Sequence, residues 1–377
     1  MLQLFRRGRV STRRELSEVS ELSRATVTAR LEQLVAAGYL REGGTSFSGG
    51  RPSVTWSFDD ETPTILAADL GATRSTVAVT DAAGRILAER VVDSRIDTGP
   101  HRALSRICDC FDTLMDRAGR TAASVCGIGI GLPGPVDFRN GRVLRPPAMP
   151  GWHDFNVRTF VGRRFAVPVL LDNDANLMAL GACGQAGPDT TSLIFVKVGT
   201  GLKSGLVIGG RLLRGADGTE GDIGHIRVPG VTDVCACGAV GCLEAGASGS
   251  AICRRLRALG VEAGSGRDIV ALARQGHRQT LTAIGTAGAL LGEVLAMVVS
   301  LVRPQRLVLG GDIADTGDTF VNSVHETLLA RTQPLATRHL AIATSHPGDR
   351  AAIAGATAVV RDHVFSAAAV DRRLATL

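Results

Sequence analysis

The sequence predicts an α/β protein in which a small helical module with a β-hairpin wing precedes a larger α/β body. Residues 1 to 58 carry two short helical patterns followed by β-like pieces, and the later chain mixes strand-like and helix-like segments. Its 377 residues suit two or three domains. No uninterrupted apolar run reaches the roughly 18 residues of a membrane helix, and no signal-peptide core follows the Arg-rich start. We therefore expect a globular protein of the cytoplasm without a membrane span.

The N-terminal module contains a predicted helix–turn–helix. Thr12 followed three residues later by Glu15 is typical of a capping box, and Leu16 and Val19 give the first helix an apolar stripe. Ser23 is placed to cap a second helix. Its apolar residues recur at spacings of four and three: Val27, Leu31 and Leu34. Two short helices separated by a brief turn predict this motif.

The start of the second helix predicts contacts with DNA. Its first turns present four residues largely off the apolar stripe: Ser23, Arg24, Thr26 and Thr28. Recognition helices meet base edges and phosphates with such positions. In the predicted wing, Arg51 beside Pro52 is placed to reach a phosphate or a narrow minor groove. Residues 1 to 58 hold nine Arg and five Glu, a net charge of 9 − 5 = +4 out of +6 for the chain. The predicted partner is a double-stranded DNA operator, and a helical pair used only for protein contacts is the alternative.

Four donors in the middle of the chain have the spacing of metal ligands: His225, Cys235, Cys237 and Cys242. Soft thiolates with one imidazole suit a tetrahedral Zn²⁺ ion, whose closed shell leaves no position for a reacting water. We therefore predict a structural zinc ion that fixes the segments on both sides. The alternative is a set of buried free cysteines, such as the other five of the chain.

Two acidic turns predict chemistry on phosphates and hydroxyls. The first, Asp69-Leu70-Gly71-Ala72-Thr73, follows a predicted strand. There, backbone N–H groups and a hydroxyl can approach a phosphate while the carboxylate handles a metal or its waters. The second, Asp172-Asn173-Asp174, follows a strand and opens a helix. A carboxylate at such a turn can take a proton from a sugar hydroxyl. An ordinary N-cap cluster is the alternative.

The segment from Cys235 to Glu244 reads Cys-x-Cys-Gly-x-x-Gly-Cys-x-Glu and follows a Gly-His pair. It resembles the signature of the ROK family of sugar kinases and sugar-responsive repressors. In that family the zinc is structural and the His and the trailing Glu also touch the sugar, which implies sugar contacts for His225 and Glu244. The resemblance also implies that Asp174 is the general base of a kinase. The other sugar-cleft residues that it implies are Gly134, Asn173 and Asp222.

Two further turns resemble the phosphate loops of the family, Gly199-Thr200-Gly201 and Gly310-Gly311. Three positions depart from the kinases, which commonly have Gly there: Ala72, Lys203 and Asp312. These departures predict weakened use of ATP, so ATP with Mg²⁺ is expected only if kinase activity is retained. Asp222 also stands where the kinases have Glu. Only Lys197 and Lys203 are lysines among 42 basic residues, which we interpret as a coding bias toward Arg.

The resemblance implies an actin-like (ribonuclease H-like) body of two lobes behind the winged helix–turn–helix. The domains expected are a winged helix at 1–58, a linker at 59–63, a first lobe at 64–174 onto which a C-terminal helix at about 350–377 packs back, and a second lobe with the zinc loop at 175–349.

We interpret the chain as a sugar-responsive transcriptional repressor of carbohydrate metabolism genes. Sugar in the cleft is expected to favour one closure of the lobes and to shift two winged helices within a homodimer or homotetramer. The alternative is an ATP-dependent, glucokinase-like sugar kinase with a DNA-binding head, which Asp174 keeps open. A zinc-responsive regulator is a third interpretation.

Overall fold

Three short helices and a two-stranded hairpin form the N-terminal module. The computed structural model describes residues 1–46, 53–146, 149–215, 220–346 and 350–376. Thr12 and Glu15 form the predicted capping box, and the Ser23 side chain accepts a hydrogen bond from the Thr26 N–H. The predicted helix–turn–helix is therefore confirmed. The elements of this module are α1 Leu2–Arg6, α2 Arg13–Ser20, α3 Arg24–Ala36, β1 Leu40–Ser46 and β2 Ser53–Phe58.

Two details of this module differ from the sequence-based expectation. Helix α1 was not predicted, because five residues carry too little periodicity to be recognised, yet it buries Leu2 and Phe5. Val19 is 52% exposed, so Leu16 is the buried residue of α2. Eight residues make only about two helical turns, and Val19 lies in the second, beside the left-handed residue Glu21 that ends the helix.

The first lobe is built on a five-stranded sheet. Its elements are β3 Thr64–Leu70, β4 Ser75–Asp81, β5 Ile86–Val92, α4 Pro100–Arg117, β6 Val125–Leu132, β7 Val136–Asp137, β8 Arg142–Val143, α5 Val157–Phe165 and β9 Val169–Asn173. The strand order in the sheet is β5-β4-β3-β6-β9. Strands β3, β6 and β9 are parallel, whereas β4 and β5 form an antiparallel meander beside β3. Helix α4 covers one face of the sheet with nine buried residues.

The second lobe repeats this plan with a second five-stranded sheet. Its elements are α6 Asp174–Gln185, β10 Leu193–Val198, β11 Leu202–Ile208, β12 Arg211–Leu212, α7 Leu243–Ala247, α8 Gly249–Ala258, α9 Gly266–Arg274, α10 Arg278–Val302, β13 Arg306–Gly310, α11 Asp318–Arg331, α12 Pro334–Thr337 and β14 Ala341–Thr344. The strand order in this sheet is β12-β11-β10-β13-β14. Two similar sheets joined in one chain confirm the predicted two-lobed α/β body. The domain boundaries given above stay a prediction.

Helix α10 is the core helix of the second lobe. Its length and composition would allow it to span a membrane, but half of its most apolar stretch is buried inside the protein. Leu291, Leu295 and Val299 are fully buried there and belong to one apolar cluster with Leu307 and Phe320. Packing accounts for the buried half of α10, whereas Met297 and Leu301 are exposed.

The chain ends in two helices, α13 Ala351–Val364 and α14 Ala367–Leu374, bent by 51° at Phe365. The sequence predicted one C-terminal helix that packs back on the first lobe. Helix α13 does so: the Thr357 hydroxyl lies 3.2 Å from that of Thr80 on β4. It also crosses α6 so closely that a Cβ on Gly181 would overlap the Ala351 carbonyl. Gly355 approaches α6 in the same way.

The winged helix packs directly on these C-terminal helices. The Phe365 ring lies 4.9 Å from that of Phe58 in the wing and 6.1 Å from that of Tyr39. The Gln3 side chain donates to the Phe365 carbonyl, and Arg6 forms an ion pair with Asp362 at 3.0 Å. Apolar residues of the head, the first lobe, α13 and α14 thus form one cluster. The head is held against the body through α1 and through Tyr39 and Phe58.

Replacing Gly181 with Ala is expected to destabilise the protein by at least about 1–3 kcal/mol, because the new methyl group overlaps backbone of α13 that cannot move without separating the helices. The matched control is Gly184→Ala in the same helix, where a Cβ meets no atom within 4 Å. That change should be neutral or stabilise by up to about 1 kcal/mol. Chemical denaturation measures both, and equal effects of the two variants would contradict the close crossing.

Candidate functional site

Acidic residues collect where the parallel strands of the first lobe end. Asp69 on β3 pairs in register with Gly131 on β6, which pairs with Asp172 on β9. Asp174 follows two residues later as the first residue of α6 and is 2% exposed. A Cβ on Gly131 would lie 3.2 Å from Asp69 Oδ1 and 3.6 Å from Asp174 Cα, so both acids border the same small space. The fold thereby brings the two acidic turns together.

An ammonium group of the second lobe enters this acidic cluster. Lys197 on β10 forms an ion pair with Asp174, and its side chain is 23% exposed. Burial by itself lowers the pKa of Lys197, but the charges of Asp174, Asp69 and Asp312 raise it above its ordinary value. Burial raises the pKa of Asp69 to about 6, the charge of Lys197 opposes that shift, and Asp174 adds to it. Asp69 Oδ1 is buried and has no hydrogen-bond partner among the described residues.

The second lysine of the chain stands directly opposite the first. Lys197 on β10 and Lys203 on β11 are cross-strand partners, so their side chains emerge on the same face of the sheet. Like charges in such a position repel. Here each ammonium has its own carboxylate, since Lys203 Nζ donates to Asp222 Oδ1 at 2.8 Å. Coding bias alone therefore does not explain the two lysines, because both are part of the site. That the chain has only two lysines was the feature of the sequence that could have identified them as site residues.

Asp222, His225 and Glu244 lie in the second lobe beside the turn that precedes Lys203. His225 Nε2 lies 3.8 Å from Asp222 Oδ2. Glu244 Oε2 accepts a hydrogen bond from the Leu202 N–H at 3.0 Å, which connects the segment after Cys242 to the turn at Gly199-Thr200-Gly201. A Cβ on Gly201 would be 3.1 Å from the same oxygen.

Asn173 and Gly134 lie near the carboxyl ends of β9 and β6 in the first lobe. The Asn173 side chain donates to the Gly134 carbonyl at 3.1 Å and accepts from the Ala175 N–H at the start of α6. A Cβ on Gly134 would lie 3.1 Å from both Met149 Sδ and Pro146 Cβ, so the close packing of this loop favours glycine. Asn173 is the N-cap of α6. The alternative of an ordinary N-cap cluster therefore describes part of its role.

A second, partly buried ion pair lies beside these residues and has no signal in the sequence. Arg214 forms an ion pair with Asp172 at 2.6 Å, and its guanidinium lies 4.7 Å from the Phe138 ring centre. Asn176 donates to both Asp172 and Glu220. Arg214 lies 42 residues from Asp172 along the chain, and no local motif marks such a pair.

The geometry of the four predicted metal donors fits a tetrahedral ion. The ligand atoms of His225, Cys235, Cys237 and Cys242 all lie within 4.8 Å of one another. His225 Nδ1 is 3.6 Å from Cys235 Sγ, and the Sγ atoms of Cys237 and Cys242 are 3.7 Å apart. Ligands about 2.1–2.3 Å from a tetrahedral zinc ion would be separated by about 3.5–3.8 Å. The donor set is therefore suited to Zn²⁺, with His225 Nε2 left facing Asp222.

The predicted phosphate turns are present, with their backbone partly engaged. The Gly71 N–H donates to the Arg74 carbonyl at 2.8 Å, and Thr73 is exposed. Carbonyls of Gly199 and Thr200 accept from the first two residues of α8. Strand β13 ends at Gly310 and Gly311 follows it. A Cβ on Gly266 at the start of α9 would be 2.6 Å from Asp312 Oδ2. Asp312 thus lies at the amino end of α9.

The predicted DNA contacts lie at the tip of the head. Ser23, Arg24 and Thr26 are exposed and Thr28 is half-buried at the start of α3. The hydroxyls of Ser23 and Thr26 lie 2.8 Å apart, so both take part in capping the helix. Arg51 falls outside the described residues. DNA contact by these residues stays a prediction.

A winged helix followed by two five-stranded lobes that meet at an acidic cleft defines a class in which a DNA-binding head is joined to a sugar-kinase-like body. The family model ROK family matches residues 65–363, and the model Winged helix-turn-helix DNA-binding matches residues 2–41. The chain belongs to the ROK family. It is 32% identical to a putative xylose repressor of Caldicellulosiruptor sp. over 93% of this chain and 92% of that protein.

Two other relatives represent the regulators and the kinases. The chain is 26% identical to the DNA-binding transcriptional dual regulator NagC of Escherichia coli, covering 93% and 88% of the two chains. It is 29% identical to a glucokinase of Thermotoga maritima, covering 80% of this chain and 98% of that protein. The regulators therefore match through the head, whereas the glucokinase matches a shorter part of this chain.

Solved structures divide in the same way. A ROK family transcriptional regulator, a homologue of the E. coli MLC protein, superposes with a TM-score of 0.82 at 24% identity and covers 100% of this chain and 97% of its own. A ROK family glucokinase from Streptomyces griseus, in complex with glucose and AMPPNP, superposes with a TM-score of 0.65 at 28% identity and covers 79% and 99%. The first likeness shows the fold of the whole chain.

The pKa of Asp69 predicts a pH-dependent stability. The ordinary value is 3.8 and the folded value about 6, so the folded state holds this proton more tightly than the unfolded chain. Ionisation of Asp69 therefore lowers the free energy of unfolding. This loss is absent below pH 3.8 and reaches on the order of 3 kcal/mol above pH 6. Asp69→Asn should gain stability over the wild type at pH 7.5 and gain clearly less at pH 5, measured by urea unfolding. The same difference at both pH values would contradict the raised pKa.

Proposed function

We propose that this protein is a sugar-responsive transcriptional repressor of carbohydrate metabolism genes. One observation carries the proposal: a winged helix with an exposed start of α3 packs on a body in which hydrogen-bonding and charged groups of both lobes lie close together. Polyols are recognised by such groups. The relatives that match through the head are named xylose repressor and NagC, which supports the same class of function.

In this proposal the sugar binds between Asn173 and Asp174 of the first lobe and Asp222, His225 and Glu244 of the second. These acceptors and donors come from both lobes, so a sugar that contacts them all favours the closed arrangement. Its differential affinity for the two arrangements sets the size of the response, about 1–3 kcal/mol for ordinary allosteric coupling.

Helix α6 supplies a physical route from the cleft to the head. It begins at Asp174 and crosses α13 at Gly181, with backbone against backbone. Helix α13 leads to Phe365, which packs on Phe58 of the wing. No side chain lies between the two backbones where α6 crosses α13 at Gly181. A shift at the start of α6 would therefore move α13 as a rigid element. In a homodimer or homotetramer it would change the spacing of two winged helices.

We further propose that His225, Cys235, Cys237 and Cys242 hold one structural Zn²⁺ ion. The ion would fix the segments that carry Asp222 and Glu244 and would keep His225 Nε2 toward the cleft. Its role is architectural, since a Cys₃His shell is closed. The chain would act in the cytoplasm, where these thiols stay reduced.

A sugar kinase is the competing function, because Asp174 is in place and glucokinases are among the relatives. The ion pairs argue against it. Lys203 fills a position of the phosphate turn and pairs with Asp222, and Asp312 places a carboxylate beside another phosphate turn. Lys197 engages the carboxylate that would act as base. We propose that use of ATP and Mg²⁺ is weak or lost.

The DNA function is tested by fluorescence anisotropy on a double-stranded sequence selected from a random library. Arg24→Ala should weaken binding about 5- to 150-fold, because one phosphate or base contact is worth about 1–3 kcal/mol. The matched control is Arg331→Ala, which removes the same charge from α11, far along the chain from the head. Equal losses in the two variants would mean that only net charge matters and would contradict the assigned recognition turn.

The sugar function is tested in the same assay with a panel of pentoses, hexoses and N-acetylhexosamines. One sugar should change the DNA affinity of the wild type about 5- to 150-fold. Asp222→Asn should keep DNA binding but lose most of this response, because the amide no longer provides the same acceptors. A panel without effect on DNA affinity, together with ADP release from MgATP that Asp174→Asn abolishes, would instead establish the kinase.

Zinc is tested by metal analysis of the purified protein. Wild type should carry one Zn²⁺ per chain, and Cys237→Ser should lose it, because removing one of four ligands opens the shell. Cys253→Ala, which removes a buried thiol outside the cluster, should keep it. A full complement of zinc in Cys237→Ser would contradict the assigned ligands.

A further inference from the structure

Two neighbouring carboxylates lie at the Lys197 side chain. Lys197 is paired with Asp174, and Asp69 borders the same small space as Asp174. The charges of Asp69 and Asp312 also act on Lys197. Carboxylate oxygens converging in this way are the usual ligands of Mg²⁺ and Mn²⁺. In this protein a covalently attached cation already stands among them.

We propose that the ammonium of Lys197 takes the place of a divalent metal ion in this cluster, so that the cleft binds its ligand without Mg²⁺. The inference extends the proposed function, because it supplies a reason why a kinase-like site serves as a sensor. Lys197 acts here as a positioning residue: it holds Asp174 as an ionised acceptor and offsets the charge of Asp69.

The geometry makes this role specific to Lys197. The side chain comes from β10 of the second lobe and reaches Asp174, which directly follows β9 of the first lobe and opens α6, so the ion pair connects the end of β9 with β10. Its cross-strand partner Lys203 has the same charge and faces the same side but pairs with Asp222, whose side chain is 33% exposed compared with 2% for Asp174. A charge in the buried position is costly to remove, whereas the exposed pair is screened by water.

A metal ion and this ammonium exclude each other for electrostatic reasons. A second cation next to Lys197 would meet a positive charge within a few ångströms in a partly desolvated space. Without Lys197, Asp69 and Asp174 would be two neighbouring acids without a counter-ion, which is the arrangement that attracts a divalent cation or raises the pKa of one acid. Removing the ammonium should therefore create a metal site.

The test is Mn²⁺ binding, followed by loss of the electron paramagnetic resonance signal of the free ion at pH 8. Zinc-loaded protein is used, because Mn²⁺ competes poorly for thiolate sites. The wild type should not bind Mn²⁺ at the cluster over the concentrations titrated, and Lys197→Met should bind it with a Kd at least about tenfold below the highest of those concentrations. Lys197→Arg, which keeps the charge, should behave as wild type. Lys203→Met, which leaves Lys197 in place, should not gain a Mn²⁺ site that Asp69→Asn removes. Adding Asp69→Asn to Lys197→Met should abolish the gain.

Two outcomes would overturn the proposal: Mn²⁺ binding by the wild type that Asp69→Asn removes, or no gain in a folded Lys197→Met protein. Circular dichroism checks the fold of each variant, and the wild-type titration decides the question if Lys197→Met does not fold. The assay uses neither DNA nor sugar. A failure here therefore leaves the repressor function standing, and a failure of the DNA assay leaves the role of Lys197 standing.

Discussion

The close crossing of α6 and α13 is the constraint on which the rest of the structure depends. Gly181 and Gly355 let the two backbones touch, and the overlap that any Cβ would cause fixes how the helices lie. The amino end of α6 presents Asp174 to the cleft, and the carboxyl end of α13 carries the surface on which the head packs. A cleft and a winged helix that are distant in sequence are thereby joined through two rigid elements.

Electrostatics then decide what the cleft can do. The strand ends of the first lobe gather acids that repel one another and resist burial. The second lobe contributes two lysines that lie opposite each other on neighbouring strands. Lys197 pairs with Asp174 and Lys203 pairs with Asp222. Because the more buried pair joins the lobes, the arrangement of charges and the arrangement of the lobes are linked. Sugar binding and lobe closure would act on the same few groups.

The donor cluster plays the corresponding role for the second lobe. A loop of this kind has little apolar surface to bury, so the closed metal shell that we propose would replace a core as the source of its rigidity. The hydrogen bond from the Leu202 N–H to Glu244 would extend that rigidity to the turn at Gly199-Thr200-Gly201. The proposed sugar-binding groups of this loop would thereby be held in place although the loop belongs to neither sheet.

The sequence by itself determined the features that arise from local pattern. The capping box at Thr12, the helix–turn–helix, the four metal donors and the acidic turn at Asp174 follow from spacing within a few residues, and the family follows from the Cys-rich motif. Contacts between distant segments were decided only by the tertiary structure: the pairing of Lys197 with Asp174, the ion pair of Arg214 with Asp172, and the docking of α1 on the C-terminal helices. Such contacts depend on strand register and helix crossing, and neither is encoded in the order of neighbouring residues.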